Sequence, residues 1–558
     1  MRRLATSILL GLIFSSVSFM TTPGFSPDTQ EEPLSIEFTT FFGDYNNQDG
    51  YAMTLDPDGN IYVVGSTLDG YRSALLVKFD PDGNILFSKT ISGSNHDTAT
   101  DIALDSEGRI IIVGVTKSSD FPTTNNAFNN TYGGPGTYPD DWGCCGDGFL
   151  TILAKDAETI LYSTYIGGSE TDSDLAVEVD TLDNIYIAGI TKSPDFPTTS
   201  NAINSSLNGG ADIFISIFSP NASSLLYSSF LGGSGDEITR YGIDGKWLIL
   251  DKSNNIIITG LTESTDYPTS TTAFDASHNG GIDTFLTKLS SDDSSILYSS
   301  FIGGDGVDAS YGVSVDNDNN FIIAGSTSSS NFPTTENAIQ SNLTSTGSGC
   351  FGSKFTFGGK ILNILCGDIF VSKFSKKGEL LSSTYLGGEN FDGISGVAVD
   401  KFNSIYIAGF SQSQNLPTTP SAYQREGKGL NEMYFAKVDK NLTSILYATY
   451  ISTNSGELLN DIAINNQGDV YVTGFSTDFS FPEINSPDIY SGGWDMTLIK
   501  FSNSISYTSF STSSNILSTS LSSPEFSKSN TSSVTSAGFS LLVMLGGLVI
   551  TNIVLKRR

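Results

Sequence analysis

The sequence is short of basic residues and histidine, and each shortage narrows the classes of function. Its 558 residues include 60 acids against 28 bases, which gives a formal charge of −32. This balance argues against nucleic acid as a partner, because phosphates are bound by Lys and Arg. The two histidines, His96 and His278, do not stand in a metal-spaced cluster. The excess of acid favours a soluble surface that attracts cations.

Motifs of the common enzyme classes are also missing. There is no Gly-x-Ser-x-Gly elbow and no phosphate loop ending in Gly-Lys-Ser/Thr. Two suitably spaced acids suffice for glycosidase or lyase chemistry, so a carbohydrate-active enzyme stays an alternative. No such pair is marked in the sequence, which therefore favours a protein that is not an enzyme and has no catalytic residues or cofactor.

The two ends of the chain are apolar and differ from the region between them. Residues 1–26 have a basic start and an apolar run, which predicts a secretory signal peptide. Residues 511–536 are rich in Ser and Thr and predict a stalk. Residues 537–555 are uncharged and long enough to span a bilayer, and the basic residues 556–558 predict a cytoplasmic tail. We therefore expect a single-pass membrane protein with residues 34–510 at the cell surface. The sequence leaves open whether the signal peptide or the C-terminal segment is cleaved, and whether the C-terminal segment is exchanged for a lipid.

An extracellular location makes disulfides and glycans plausible. The four cysteines are Cys144, Cys145, Cys350 and Cys366. The second two would close one loop on itself, whereas the adjacent first two form a vicinal bridge or bond elsewhere. Six Asn-x-Ser/Thr sequons are candidate glycosylation sites, at Asn129, Asn204, Asn221, Asn342, Asn441 and Asn530.

A repeat organises residues 34–510. "NIYVVGST" at 60–67 recurs six times in variant form, as in "NIYIAGIT" at 184–191 and "SIYIAGFS" at 404–411. Each unit has four short runs rich in Ile, Val, Phe and Tyr between turn residues, and no run shows a helical period. Seven units of four strands predict an all-β fold, a seven-bladed β-propeller of four-stranded antiparallel blades. Eight copies of the "LYSTYIGG" run for seven blades predict that one terminal copy, "FTTFFG" at 38–43 or "SYTSF" at 506–510, completes a blade begun at the opposite end.

The order of these motifs resembles a known family. The series runs Gly-x-Thr-x-Ser-x-x-Phe-Pro-Thr-Thr, then Gly-Gly-x-Asp-x-Phe, then Leu-Tyr-Ser-Thr-Tyr-Leu-Gly-Gly. It is similar to the SBBP beta-propeller repeat of bacteria and archaea. The resemblance implies a seven-bladed exported surface protein and implies no reaction. The first unit departs from the pattern, since "LDGYRS" replaces the Pro-Thr-Thr corner and predicts a shortened connection.

The pentapeptide "DFPTT" at 120–124 and 195–199, with degenerate copies in four further units, is interpreted as a structural corner. Proline fixes φ and makes the preceding residue extended. The aromatic ring would pack between blades and the Thr hydroxyls would bond to nearby backbone. Because six corners repeat the same residues, the pattern argues against an active site, which is a unique assembly.

Two acidic patterns can be interpreted either as cation-binding sites or as structural turn residues. An acid precedes the third strand of six units: Asp147, Asp212, Asp283, Asp368, Glu432 and Asp495. These residues either ring a cation site or accept backbone N–H bonds, and the second reading is favoured. "DPDGN" and "DNDNN" resemble calcium loops, with Asp56, Asp58, Asp316 and Asp318 as candidate calcium ligands. Since the bidentate acid at the twelfth position is missing, hairpin turns are favoured there.

Two insertions between second and third strands break the symmetry, at 129–148 in the second unit and 341–368 in the fifth. Both would emerge on one face, where unique function is expected. They carry candidate ligand-binding side chains, namely Tyr132, Tyr138, Asp140, Asp141, Trp142, Phe351 and Phe355. We expect a membrane-tethered binding, adhesion or envelope-scaffold module whose ligand is a glycan or a surface protein. A surface-coat component without a specific ligand is a further alternative.

Overall fold

A computed structural model of the protein describes residues 34–43, 46–134, 146–239, 245–291, 295–345, 355–357, 360–362, 367–428, 431–451, 457–478, 480–488 and 492–503. All of them belong to the first of two compact units, Met1–Ile505. The proposed signal peptide, stalk and apolar C-terminal segment lie outside the described residues. Within the described part, no helix is long and apolar enough to cross a membrane.

Strands account for nearly all the regular structure, and no helix occurs in the described ranges. The first strand is β1 (Leu34–Phe42). Blade 1 comprises β2 (Asn47–Leu55), β3 (Ile61–Asp69), β4 (Tyr71–Phe79) and β5 (Ile85–Ile91). Blade 2 comprises β6 (Asp97–Leu104), β7 (Ile110–Thr116), β8 (Asp147–Leu153) and β9 (Ile160–Ile166). Blade 3 comprises β10 (Asp172–Val179), β11 (Ile185–Thr191), β12 (Asp212–Phe218) and β13 (Leu225–Leu231).

The remaining blades follow the same order. Blade 4 comprises β14 (Glu237–Ile238), β15 (Leu248–Leu250), β16 (Ile256–Thr262), β17 (Asp283–Leu289) and β18 (Ile296–Ile302). Blade 5 comprises β19 (Asp308–Val315), β20 (Phe321–Thr327), β23 (Asp368–Phe374) and β24 (Leu380–Leu386), with a hairpin of β21 (Phe355–Phe357) and β22 (Lys360–Leu362) in its insertion. Blade 6 comprises β25 (Asp392–Val399), β26 (Ile405–Ser411), β27 (Glu432–Val438) and β28 (Ile445–Ile451), and blade 7 comprises β29 (Glu457–Ile464), β30 (Val470–Ser476) and β31 (Asp495–Asn503).

Seven antiparallel sheets thus confirm the predicted seven-bladed propeller. Positions 1 to 4 denote the strands of a blade from the one nearest the channel to the outermost. This is also the chain order in blades 1 to 6, where β14 and β15 share position 1 of blade 4. Position 2 is buried throughout its length in blades 2 to 6. A sheet buried on both faces needs continuous apolar strands, which explains runs such as "IIIVGVT".

The glycine in the middle of position 2 has a steric cause. A Cβ on Gly114 would lie 2.0 Å from the carbonyl oxygen of Thr98 on the neighbouring strand. The register of that strand shifts between Ala99 and Asp101, so a bulge brings its backbone towards the glycine. Only glycine allows this approach, so the repeated glycine of the sequence motif marks a repeated bulge in position 1.

The ring closes between the two ends of the propeller. β1 pairs antiparallel with β31, so that Leu34 lies opposite Asn503 and Phe42 opposite Met496. β1 is therefore position 4 of blade 7, which selects "FTTFFG" from the two terminal copies that the sequence left open; "SYTSF" lies outside the described residues. Phe41 is buried and meets Phe481 of the blade 7 connection edge-to-face, with 5.5 Å between ring centroids.

Truncating Phe41 tests this closure. We expect Phe41→Ala to lower the free energy of unfolding by about 3–5 kcal/mol, because a buried aromatic side chain is removed from the contact that joins the chain ends. Denaturant unfolding followed by fluorescence measures it. The exposed neighbour Ser35 provides the control substitution Ser35→Ala; an equal effect of the two changes would contradict the closure argument.

Candidate functional site

The two ends of the blades form two different faces. Connections between positions 2 and 3, and from position 4 to the next blade, lie on one face, which we call the corner face. The short turns between positions 1 and 2 and between positions 3 and 4 lie on the opposite face, the turn face. The antiparallel order of the strands fixes this assignment, and it places both insertions on the corner face.

The repeated "DFPTT" corners have a structural role. Phe196 is buried and stacks on Phe214 of its own blade at 4.3 Å between centroids. In blade 2, Thr124 donates its N–H to the Ser163 carbonyl of the outermost strand at 3.0 Å and its hydroxyl accepts the Ser163 N–H at 3.2 Å. The corner thus covers the free edge of position 4, which would otherwise offer unpaired backbone groups to other chains. Blade 1 lacks the corner and joins β3 to β4 through Gly70 alone, as the shortened connection predicts.

Acidic and hydroxyl side chains line up at the corner-face end of blades 2 to 7. In blade 3, Asp172 lies opposite Thr191, which lies opposite Asp212. The other rows are Asp97–Thr116–Asp147, Glu237–Thr262–Asp283, Asp308–Thr327–Asp368, Asp392–Ser411–Glu432 and Glu457–Ser476–Asp495. All of these acids are buried. Blade 1 has the uncharged row Gln48–Thr67–Ser73 instead.

The acid of position 1 organises the Gly-x-Thr-x-Ser motif. Asp392 accepts hydrogen bonds from the Ser411 hydroxyl at 2.5 Å, the Ser413 hydroxyl at 2.9 Å and the Gly388 N–H at 2.7 Å. Asp308 and Asp172 accept equivalent bonds. A buried carboxylate needs such donors, so the motif supplies the partners of this acid.

The acids that precede position 3 accept backbone bonds from the preceding loop, as the structural reading expects. Asp212 accepts the N–H groups of Asn208 at 2.9 Å and Gly209 at 3.2 Å. Asp283 does the same with Asn279 and Gly280.

Acids of neighbouring blades meet at the joints between blades. A Cβ on Gly232 would lie 2.2 Å from Glu237 Oε2 and 2.6 Å from Asp212 Oδ1. The first glycine of the Gly-Gly pair therefore sits between two carboxyl groups and has no room for a side chain. The carboxyl groups of Asp212 and Glu237 are close enough to share a hydrogen bond.

Burial makes these carboxyl groups hold protons. It raises the pKa of Glu237 to about 8, with a smaller contribution from the charge of Asp212. Burial likewise raises the pKa of Asp147 to about 7, where Asp172 adds repulsion. The pKa of Asp392 is raised to about 7 by burial and by the charge of Asp368. At neutral pH, Glu237 is therefore mostly protonated, whereas Asp147 and Asp392 are partly protonated.

A segment unique to blade 4 brings the cationic side chain of Lys246 to the central channel. Its position 1 is split into β14 and β15, and Lys246 in between donates to Glu178 Oε1 at 2.5 Å. Although burial opposes it, the charges of Glu178, Asp101 and Asp461 raise the pKa of Lys246. These acids come from blades 3, 2 and 7, so Lys246 links blades on different sides of the channel.

Asp101 and Asp461 also connect neighbouring blades directly. Asp101 accepts the Val177 N–H at 2.8 Å, and Asp461 accepts the Met53 N–H at 2.7 Å. The cavity between these acids and Lys246 has a volume of about 10 Å³, which is about the space of one water molecule.

The sequence patterns did not identify this blade 4 segment. The stretch from the second glycine of the Gly-Gly pair to the residue before position 2 has 17 residues in blade 3 (168–184) and 23 in blade 4 (233–255). The spacing was therefore the available signal, but "EITRYGIDGKW" contains no motif that marks it.

The predicted calcium ligands lie in turns on the turn face. Asp56 accepts the N–H groups of Asp58 and Asn60 and pairs with Lys78 at 3.4 Å. Asp316 has the same bonds from Asp318 and Asn320. Among the described residues, no group of three or more His, Cys, Asp or Glu side chains is arranged to hold a metal ion.

The predicted ligand-binding residues are only partly described. Tyr132 is half-buried and contacts Tyr165 edge-to-face at 5.9 Å between centroids. The backbone of Phe355 lies in β21 opposite Leu362. Tyr138, Asp140, Asp141, Trp142, Phe351, the four cysteines and Asn530 lie outside the described residues. Of the other sequons, Asn129, Asn204 and Asn342 lie on the corner-face connections and Asn221 and Asn441 in turns of the opposite face.

These features define a repeat propeller, and the comparison with known families agrees. The profile of the SBBP family, described as a beta-propeller repeat, matches residues 37–72. The resemblance to the SBBP repeat is therefore confirmed, and the chain is a seven-bladed propeller.

Similar proteins differ widely in their described roles. The regulatory protein FlaEY of Caulobacter vibrioides is 22% identical over 203 residues, which make up 36% of this chain and 20% of FlaEY. The chain thus matches about a fifth of that relative's length. The WD40 domain of Neurospora crassa Pan2 has a TM-score of 0.42 at 8% identity, covering 85% of this chain and 96% of that one. An ulvan lyase has a TM-score of 0.42 at 10% identity, covering 82% and 94%. At these similarities, the solved structures carry no argument about activity.

The buried acids predict that stability falls as pH rises. An unfolded carboxyl group has a pKa near 4, so the stability from a raised folded-state pKa is fully present below about pH 4 and is lost as pH rises through about 6 to 8. In contrast, the ion pair with Lys288 lowers the pKa of Asp251 against the effect of burial, and this stability is lost in acid. We expect the Tm to be highest near about pH 5 and to fall towards pH 8.

Glu237→Gln should raise the Tm at pH 8 and make the decline of Tm with pH less steep. Asp82→Asn, a control at an exposed aspartate, should do neither. If the Tm of the Glu237→Gln protein declines as steeply as that of the original protein, the assignment is contradicted.

Lys246 should stabilise the ring from inside the channel. We expect Lys246→Met to lower the Tm, most strongly above pH 7, because Asp101 and Asp461 lose their nearby positive charge. Lys246→Arg should retain most of the stability. Thermal unfolding at pH 6 and pH 8 measures the effect, and a loss that is equal at both pH values would indicate lost packing instead of lost charge.

Proposed function

We propose that the protein is a membrane-tethered extracellular propeller that presents its corner face as a binding or envelope-scaffold surface. The apolar segments at 4–20 and 537–555 would deliver and tether the chain, and the insertions of blades 2 and 5 would provide recognition. The ligand would be a glycan or a surface protein.

The observation that carries this proposal is where the described propeller begins and ends. Leu34 lies opposite Asn503 in the β1–β31 pair, at the turn-face end of both strands. The described propeller therefore begins and ends on the turn face. A tether on that side would leave the corner face, with both insertions, free to meet a ligand.

The channel supports a binding role over the carbohydrate-active alternative. Asp101 and Asp461 are engaged by backbone N–H groups and lie near Lys246. The cavity between them, about 10 Å³, does not admit a saccharide, since a ligand pocket usually needs at least about 300 Å³. Acids at this level of the channel are better suited to holding the blades together.

Replacing the insertions tests the proposal. Residues 130–146 and 341–367 would each be replaced by "SSLNGGA", the blade 3 sequence of residues 205–211, in the full-length protein. We expect saturable binding of the original protein to isolated envelopes of the producing cell and at least a tenfold loss of affinity in the variant, a change of about 1.4 kcal/mol. Sedimentation of envelopes with purified protein measures binding.

The control alters the opposite face without changing chain length. In it, the turn Ser375–Glu379 is replaced by the "DPDGN" of residues 80–84. Retained binding of the control with lost binding of the insertion variant supports the corner face. Equal binding of all three proteins, or no saturable binding by the original, would overturn the proposal.

A further inference from the structure

A groove on the corner face between blades 4 and 5 has the features of a small ligand site. It has a volume of about 510 Å³ and is open to solvent. Its lining includes Phe274, Asp275, Asn279, Asp305 and Asn331. We call it the 4/5 groove.

Three connections of the fold bring these side chains together. Phe274, Asp275 and Asn279 belong to the connection between β16 and β17 in blade 4, and Asp305 lies between β18 and β19. Asn331 begins the Phe-Pro-Thr corner of blade 5. All three connections lie on the corner face, so the groove faces the same side as the insertions.

The 4/5 groove differs in its polar groups from the three joints that precede it in the ring. The joint of blades 5 and 6 has the same exchange, since the Glu389 N–H bonds to Asn415 Oδ1 at 3.1 Å. Where blades 3 and 4 meet, Ser234 donates its hydroxyl to Asp266 at 2.9 Å and its N–H to the same oxygen at 2.8 Å. In the 4/5 groove, Asp305 replaces the serine and Asn331 replaces the aspartate. Only the Asp305 N–H bonds to Asn331 Oδ1, at 3.0 Å.

This exchange leaves an acceptor and a donor available side by side. No described residue donates to the Asp305 carboxylate, and no described residue accepts from the Asn331 amide nitrogen. Asp275 is held in place by the Ser277 N–H at 2.8 Å and by the Asn279 amide at 2.5 Å. Asp275 therefore offers a carboxylate that is fixed before any ligand arrives, which lowers the entropy cost of binding at that group.

Phe274 supplies an apolar surface beside these groups. Its side chain is 40% exposed, while one side meets Phe374 edge-to-face at 5.6 Å between centroids. A pyranose ring combines an apolar C–H face with adjacent hydroxyl groups, so it can pack on the ring while its hydroxyls bond to a carboxylate and an amide. The joint of blades 3 and 4 has Ile203 in place of Phe274 and lacks this flat surface.

The charge of the groove selects among saccharides. Asp275 and Asp305 are both acidic, and the lining contains no Lys or Arg. Uronic acids and sulfated sugars would be repelled, whereas an amino group would be attracted. We propose that the 4/5 groove binds a pyranose residue of an uncharged or amino-bearing glycan. This inference rests on the proposed function, for which it names a ligand class and a site.

Titration of the full-length protein in detergent with defined saccharides tests the site. The probes are maltotetraose, a glucosamine tetrasaccharide and, as the anionic comparison, trigalacturonic acid. We expect saturable binding of at least one of the first two, with trigalacturonic acid at least tenfold weaker. Phe274→Ala and Asp305→Asn should each weaken binding by about tenfold, a change equivalent to 1.4 kcal/mol. Ile203→Ala, the matched change at the joint of blades 3 and 4, should leave the affinity unchanged.

Asp305 is exposed and its side chain has no partner in the described structure, so Asp305→Asn keeps the test valid if Phe274→Ala destabilises the fold. Absence of binding to both preferred probes, equal binding of trigalacturonic acid, or equal effects of Phe274→Ala and Ile203→Ala would overturn the site. If the groove fails while the insertion variant still loses envelope binding, the proposed function stands without it. If saccharides bind at the groove but the insertion variant keeps its envelope binding, the insertions are not the recognition surface.

Discussion

The antiparallel pairing of β1 with β31 is the contact on which the rest of the propeller depends. A four-stranded blade is apolar on both faces and is stable only when a neighbour covers each one. Seven blades satisfy this condition if the last also packs on the first. Since β1 is drawn from the start of the chain into the blade formed by its end, the ring closes through backbone hydrogen bonds. The same pairing brings both ends of the propeller to the turn face.

Within the ring, buried carboxyl groups explain much of the repeated sequence. The acid at position 1 needs donors, and the Gly-x-Thr-x-Ser motif and the Gly-Gly loop supply them. The acid before position 3 needs backbone N–H groups from the connection in front of it. Residues that resemble a ring of catalytic or cation-binding acids are therefore largely occupied by internal bonds. Their raised pKa values follow from burial and from their pairing across the joints.

Departures from the repeat distinguish individual blades. Blades 2 and 5 carry insertions on the corner face, and blade 4 sends a segment with Lys246 into the channel. The joint of blades 4 and 5 has Asp305 and Asn331 where the three preceding joints have a serine and an aspartate, and no described residue donates to the Asp305 carboxylate. Each departure changes which groups are left for a ligand while the shared hydrogen bonds keep the blade shape. Within the same loops, the repeated residues maintain the blade, and the residues that depart from the repeat are the ones left for a ligand.

The seven blades, the strand order and the structural role of the corners could all be predicted from the sequence. These properties depend on local patterns, namely apolar runs, Gly and Pro at turns, and a motif repeated at recognisable spacing, as "NIYIAGIT" shows. Three results required the folded structure: which terminal strand closes the ring, which acids meet across joints, and that Lys246 enters the channel. Those results depend on register and on contacts between residues far apart in the chain, such as Leu34 with Asn503 and Asp212 with Glu237. A sequence pattern shows neither the register nor these contacts, because an aspartate in a buried acid pair and an aspartate in an exposed turn are the same residue type.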